Sequence, residues 1–180
     1  MAREGFDVRG IEPSAPFRDR ALSFLDVSEN RVVAAGIEDA EFGGGQFNFI
    51  TFGAVLEHIY DPAAALEKCL RWLKPGGVIQ AEVPSSAHLM SKLLNQFFRL
   101  AGTNYVTNIS PMHSPFHLYE FTPRSFESHG ARAGYEIASQ YYSVGSIYHL
   151  PKFVHAPLKW MMERNATGMQ LTVFLRKLTA

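Results

Sequence analysis

The sequence predicts an α/β fold: a mostly parallel sheet with helices on both faces and an antiparallel last strand. Three observations carry that expectation. From Phe6 onward, apolar runs of strand length alternate with segments whose apolar residues recur at helical spacing. Between Gln46 and Pro84, a strand, a helix and a second strand follow within about forty residues, as in a right-handed parallel crossover. Met169 to Lys177 (MQLTVFLRK) alternates as a half-buried strand does. At 180 residues the chain suits a single domain with a sizeable core.

Met1 to Gly5 reads as the last turn of a helix. Phe6 to Ser14 reads as a short strand ending in the carboxylate Glu12. In nucleotide-binding α/β folds an acid at that place accepts hydrogen bonds from ribose hydroxyls; the alternative is a solvated strand end or helix cap. Ala15 to Ser28 carries Phe17, Ala21, Leu22 and Leu25 at helical spacing. Arg31 to Ala35 reads as a strand, and Gly36 to Phe42 as an acidic turn. Gly43-Gly44-Gly45 leads into a strand instead of opening a helix, so it is a flexible turn and not a phosphate loop.

Phe47 to Phe52 has the β-favouring composition of a strand. Gly53 suits a turn, and Val55 to Ile59 crosses to the next helix. Asp61 is placed to cap that helix and Pro62 to start it; Ala64, Leu66, Cys69, Leu70 and Leu73 form its apolar side. Pro75-Gly76-Gly77 is expected to stop it before the strand Val78–Val83. Ligands of such sheets sit beyond the carboxyl ends of the strands, so Gly53 to His58 and Pro84 to His88 face the expected site.

Ser85 or Ser86 is placed to cap a helix running to about Leu100 and ended by Gly102. Its wide stripe (Leu89, Leu93, Phe97, Leu100, with Met90, Leu94 and Phe98) reads as core; an acceptor pocket or a subunit interface are the alternatives. Thr103 to Tyr119 is a long aperiodic segment of the kind that forms lids and binding loops. His113 and His117 stand four apart, but Pro111 and Pro115 oppose a helix and no third ligand has matching spacing, so no metal centre is expected. Thr122 and Pro123 start a helix ending before Gly134, and Tyr135 to Val144 is a strand. Gly145 to Thr167 is an aromatic-rich insertion in which Pro151 and Pro157 should keep any helix short. Its expected role is packing over the cleft or against another subunit, with a membrane-surface helix as the alternative.

The stretch FNFITFGAVLEHIYDP, the turn LKPGGVI, the strand end EVPSS and the upstream GFDVRGIEPS resemble the class I S-adenosylmethionine-dependent methyltransferases. The stretch HLYEFTPRSFESHGARAGYEI is similar to a recurrent piece of the same superfamily. Asn48 stands where the family usually has Asp. The resemblance implies a Rossmann-like methyltransferase fold, S-adenosylmethionine as cofactor and methyl transfer to an unidentified small-molecule acceptor. It implies that Glu12 binds the ribose, with Pro13 beside it, and that Ile37 and Glu38 meet the adenine. Gly53, Ala54, Glu57 and His58 would line the cofactor, and His117 and Tyr119 would face the acceptor. Histidine suits a general base for a hydroxyl near neutral pH; a purely structural role is the alternative at His117. Methyl transfer works largely by holding donor and acceptor in attack geometry, so no nucleophile motif is needed.

The family's first strand and Gly-rich turn should lie some 20 residues before Glu12, yet only eleven residues precede it and none reads as a strand followed by G-x-G. The fold is therefore expected to be N-terminally truncated. The strands on either side of the missing one should pair directly or recruit another chain, making a homo-oligomer one expected outcome. A truncated, non-catalytic binding or dimerisation module is the second functional reading, and a nicotinamide-dependent oxidoreductase the third.

Lysines and arginines (17) balance aspartates and glutamates (17), so no basic field points to nucleic acid. A single cysteine, Cys69, excludes an internal disulfide framework and fits a reducing, cytoplasmic setting. No apolar run is long enough to span a bilayer.

Overall fold

The structure is a computed structural model that describes residues 4–107, 109, 114, 116–145, 147 and 150–179. The chain forms two compact units, Met1–Gly43 and Gly44–Ala180. In the first, β1 (Gly10–Ile11) runs parallel to β2 (Val32–Val33), with α1 (Ala15–Leu25) between them in sequence. Both strands are shorter than the spans 6–14 and 31–35 that the sequence suggests. The ladder gains one more bond, Glu12 N–H to the Val33 carbonyl at 3.0 Å. Pro13 then has no N–H to continue it. Helix α1 ends at Leu25 because Asp26 turns left-handed (φ 51°). Arg18 ties it down: Nε donates to the Val32 carbonyl at 2.9 Å and Nη2 to that of Glu29 at 3.2 Å.

The second unit holds β3 (Phe47–Gly53), α2 (Pro62–Trp72), β4 (Leu73–Pro84), α3 (Leu89–Leu100), α4 (Pro123–Ala133), β5 (Tyr135–Ser143), α5 (Lys152–Arg164) and β6 (Gln170–Lys177). Its sheet has the order β3-β4-β6-β5. β3 is parallel to β4, while β6 is antiparallel to both β4 and the edge strand β5. The pleat sends alternate residues to one buried face, where Ile79 meets Leu175, Ala81 meets Val173 and Val83 meets Leu171. All six are fully buried, and Phe52 of β3 extends the row beside Ala81.

Of the two outcomes expected for the strands beside the missing one, direct pairing of Val8–Glu12 with Phe47–Phe52 is absent among the described residues. Among the described residues β1 pairs only with β2, and β3 only with β4, so there are two sheets and one edge of β3 carries no strand.

Asp61 Oδ1 accepts the Ala64 N–H at 2.9 Å and Pro62 opens α2, as the sequence indicates. The helix ends at Trp72, however, before Pro75-Gly76-Gly77. β4 starts at once from Leu73, and the glycines form an irregularity inside it, with Gly76 at φ 71°. A Cβ at Gly77 would lie 2.9 Å from the Lys74 carbonyl oxygen and 3.0 Å from a Leu73 methyl, so this bend accepts only glycine. The Lys177 ammonium closes the C-terminus of α2 on the carbonyls of Leu70 and Leu73 at 2.7 and 2.9 Å.

The α3 expectation needs two corrections. Neither serine caps it, since Ser85 Oγ accepts the Ala87 N–H in a separate turn and the helix begins at Leu89. Its stripe is not core either: Leu93, Leu94, Phe97 and Leu100 are exposed, and the buried residue is Ser91, bonded to His88 Nδ1 at 2.7 Å. Leu89, Met90 and Phe98 of the stripe are half-buried. Helix α5 also runs longer than expected, thirteen residues with Pro157 inside; the proline is exposed, so the backbone carbonyl it leaves unpaired is within reach of water. Helix α4 follows its sequence signals closely. Thr122 and Ser125 form a reciprocal capping box, Pro123 opens the helix and Gly134 (φ 84°) ends it.

Cys69 is buried on α2, and loss of hydration pushes its thiol up to about 12. The thiolate is the nucleophile, so an aromatic disulfide reagent at pH 8 is expected to leave the folded chain unlabelled and to react rapidly in denaturant. Fast native labelling, followed by absorbance, would contradict this placement.

Candidate functional site

In the second unit, the sequence elements expected beyond the strand ends do converge. β3 ends at Gly53, and the left-handed residue is the next one, Ala54 (φ 52°), not the glycine. A non-glycine residue in that region is strained and is commonly held there by a functional site. The Ala54 N–H donates to the Glu82 carbonyl of β4 at 3.0 Å. A single 3-10 turn, Leu56–His58, follows; it buries Leu56 and Glu57 and leaves His58 partly exposed.

The segment 116–121 lies along this turn. The Leu118 N–H donates to the Glu57 carbonyl at 2.8 Å, His58 Nδ1 lies 3.0 Å from the Phe116 carbonyl oxygen, and the Tyr119 hydroxyl donates to the Tyr60 carbonyl at 2.8 Å. Beyond it, Phe121 pairs with the end of β4: its N–H donates to the Pro84 carbonyl at 3.1 Å, and its carbonyl accepts the Ser86 N–H at 3.2 Å. These bonds place His117 against His58, their rings 4.8 Å apart and edge-on. One ligand-type atom from each of Glu57, His58 and His117 lies within 4.8 Å of the others. His113 lies outside the described residues.

In the first unit, Glu12 stands where β1 ends. Its Oε1 accepts the Ser14 N–H at 2.8 Å, and no bond to its second oxygen occurs among the described residues. Pro13 is exposed beside it. Across the β2 end, the Gly36 carbonyl accepts the Asp39 and Ala40 N–H groups at 3.2 and 3.0 Å. This turn half-buries Ile37 and exposes Glu38. The Glu38 carboxylate folds back over Gly36, where a Cβ would lie 2.8 Å from Oε2.

The family model for a methyltransferase domain matches residues 1–140 of the 180. The chain belongs to the methyltransferase-domain family of that model. Among curated relatives, it is 26% identical over 173 residues to a ubiquinone biosynthesis O-methyltransferase of Aromatoleum aromaticum, covering 87% of this chain and 70% of that one. To the enzyme of the same name from Alkalilimnicola ehrlichii it is 29% identical over 121 residues, covering 62% of this chain and 44% of the relative. The chain thus spans only a third to about half the length of several curated relatives it matches, with shares of 44, 34 and 52%. Among solved structures, a SAM-dependent methyltransferase from Methanosarcina mazei superposes with a TM-score of 0.67 at 14% identity, covering 99% of this chain and 85% of that one. At that identity the likeness speaks for the fold.

No helix of the described residues is long and apolar enough to cross a membrane. Sequence reasoning singled out Glu57, His58 and His117 individually but did not group them. The Leu118 and Phe121 backbone bonds that gather them leave no mark on residue spacing.

Proposed function

We propose that this chain transfers the methyl group of S-adenosylmethionine to a hydroxyl of a small-molecule acceptor. The family match over residues 1–140, joined by relatives named as O-methyltransferases, carries the reading. When bound, the cofactor supplies an electrophilic methyl on a sulfonium. The residues present suit its nucleoside end. Glu12 has an oxygen left for ribose hydroxyls beside Pro13, and Ile37 with Glu38 offers an apolar surface and a polar edge for adenine. No strand followed by a Gly-rich turn precedes β1 among the described residues, so these residues provide no backbone cradle for the methionine end.

In the second unit, Gly53 and the strained Ala54 present open backbone at the end of β3. Glu57 and His58 line the turn that follows. His117 is the residue to accept the acceptor's hydroxyl proton, since a neutral imidazole is a competent base near pH 7. Tyr119 holds the His117 segment in register through its bond to Tyr60.

The test is incubation of the full chain with methyl-labelled cofactor and a panel of catechols, phenols and amines. Label in an aryl methyl ether is the expected product. Transfer to amines alone would overturn the choice of oxygen. Tight cofactor binding without transfer to any acceptor would favour the non-catalytic binding module.

A further inference from the structure

We propose that Glu57, His58 and His117 form a binding site for one divalent transition-metal ion of the Zn²⁺ class. The starting observation is Glu57, 2% exposed, whose Oε2 is buried without a hydrogen-bond partner in the structure. Burying a carboxylate oxygen away from water is costly unless a proton donor or a cation meets it. Among the described residues, His58 and His117 each offer a ring nitrogen within 4.8 Å of a Glu57 carboxylate oxygen. His58 Nε2 lies 3.9 Å from Glu57 Oε1, too far for a hydrogen bond and suitable for two groups facing one ion.

The second observation is the tautomer of His58. Its Nδ1 is 3.0 Å from the Phe116 carbonyl oxygen, which accepts only, so Nδ1 carries the proton and Nε2 the lone pair. A backbone carbonyl on the far nitrogen is the usual orienting partner of a metal-binding histidine. His117 is fixed by the neighbouring bonds from Leu118 to Glu57 and from Tyr119 to Tyr60, so the site is braced from two segments. Ligand atoms around a tetrahedral ion are roughly 3.4 Å apart when each bond is about 2.0–2.1 Å. The three atoms here lie within 4.8 Å, so closing on an ion needs side-chain movements on the order of 1 Å.

Two imidazoles and one carboxylate favour Zn²⁺ and its transition-metal neighbours over Mg²⁺ or Ca²⁺, which prefer oxygen. Three protein ligands leave a coordination position open, as catalytic sites do. Resting on the methyl-transfer reading above, that position would take the acceptor's oxygen. The ion would then lower the hydroxyl pKa so that its proton passes to water, and His117 would act as a ligand in place of a base.

Metal binding is measured without turnover, so its outcome stands apart from the methyl-transfer test. The full chain is titrated with Co²⁺, followed by visible absorption, and with Zn²⁺ against a fluorescent chelator. One ion per chain is expected, with the intense bands of a four- or five-coordinate Co²⁺ site. His117→Ala and Glu57→Gln should each weaken binding by about a hundredfold or more, while His155→Ala, far along the sequence on α5, leaves it unchanged. Circular dichroism establishes that each variant is folded, and His58→Ala serves as a third ligand variant if one is not. Absence of stoichiometric binding to the folded parent chain would overturn the proposal. So would affinity unchanged in the folded ligand variants, or lost equally in His155→Ala.

Discussion

Phe126→Ala is expected to destabilise the second unit by about 3–5 kcal/mol, the usual cost of emptying a buried phenylalanine position. Phe126 sits on α4 with 1% of its surface exposed, and its ring stacks on Phe121 at 5.5 Å between centroids. Phe121 is the residue that pairs with the end of β4. The cavity would therefore open beneath the segment that carries His117. For a chain of this size the midpoint of thermal unfolding should fall by roughly 6–20 °C, which a circular dichroism melt reads directly. Phe126→Leu keeps most of the volume and should recover most of the loss. A shift of under about 2 °C for the alanine variant would show that α4 does not brace the site.

Local chemistry explains which elements the sequence made legible. Asp61-Pro62 and Thr122-Pro123 are cap-and-start pairs whose hydrogen bonds span only three residues, so α2 and α4 begin where the sequence says. The alternation Leu171, Val173, Leu175 likewise marks β6 because one face of that strand is entirely buried. The α3 stripe misled because amphipathicity specifies a face but not what covers it. In this helix the buried position belongs to Ser91, Leu89, Met90 and Phe98 are half-buried, and Leu93, Leu94, Phe97 and Leu100 are exposed. The early strands were overestimated because β-favouring residues do not pair without a partner strand, and β1 has only β2. In the candidate site, Glu57 and His58 were visible as part of Leu56-Glu57-His58. Their grouping with His117 depends on long-range bonds, the Leu118 N–H to the Glu57 carbonyl and the His58 ring to the Phe116 carbonyl 58 residues on, and no periodicity encodes those.

Glu12→Ala should weaken binding of S-adenosylhomocysteine about ten- to a hundredfold. Hydrogen bonds to a charged group are worth about 1.5–3 kcal/mol, and each 1.4 kcal/mol is about a factor of ten in affinity. The substitution has a second effect within the first unit, because Glu12 Oε1 also accepts the Ser14 N–H ahead of α1. Glu12→Gln separates the two. Its amide oxygen still accepts from Ser14, so α1 should keep its stability, while the lost charge weakens the ribose bonds. Calorimetry on both variants should therefore show weakened cofactor binding, and the melting curve should change only for alanine. The ligand provides the other side of the cycle. An analogue lacking the 2′- and 3′-hydroxyls has nothing for Glu12 to bind, so it should bind parent chain and variants alike. If the analogue loses as much affinity as the parent ligand does, Glu12 acts through the turn at Ser14. If neither ligand loses affinity, the ribose lies elsewhere, and the end of β1 is a capped strand end with no part in the site.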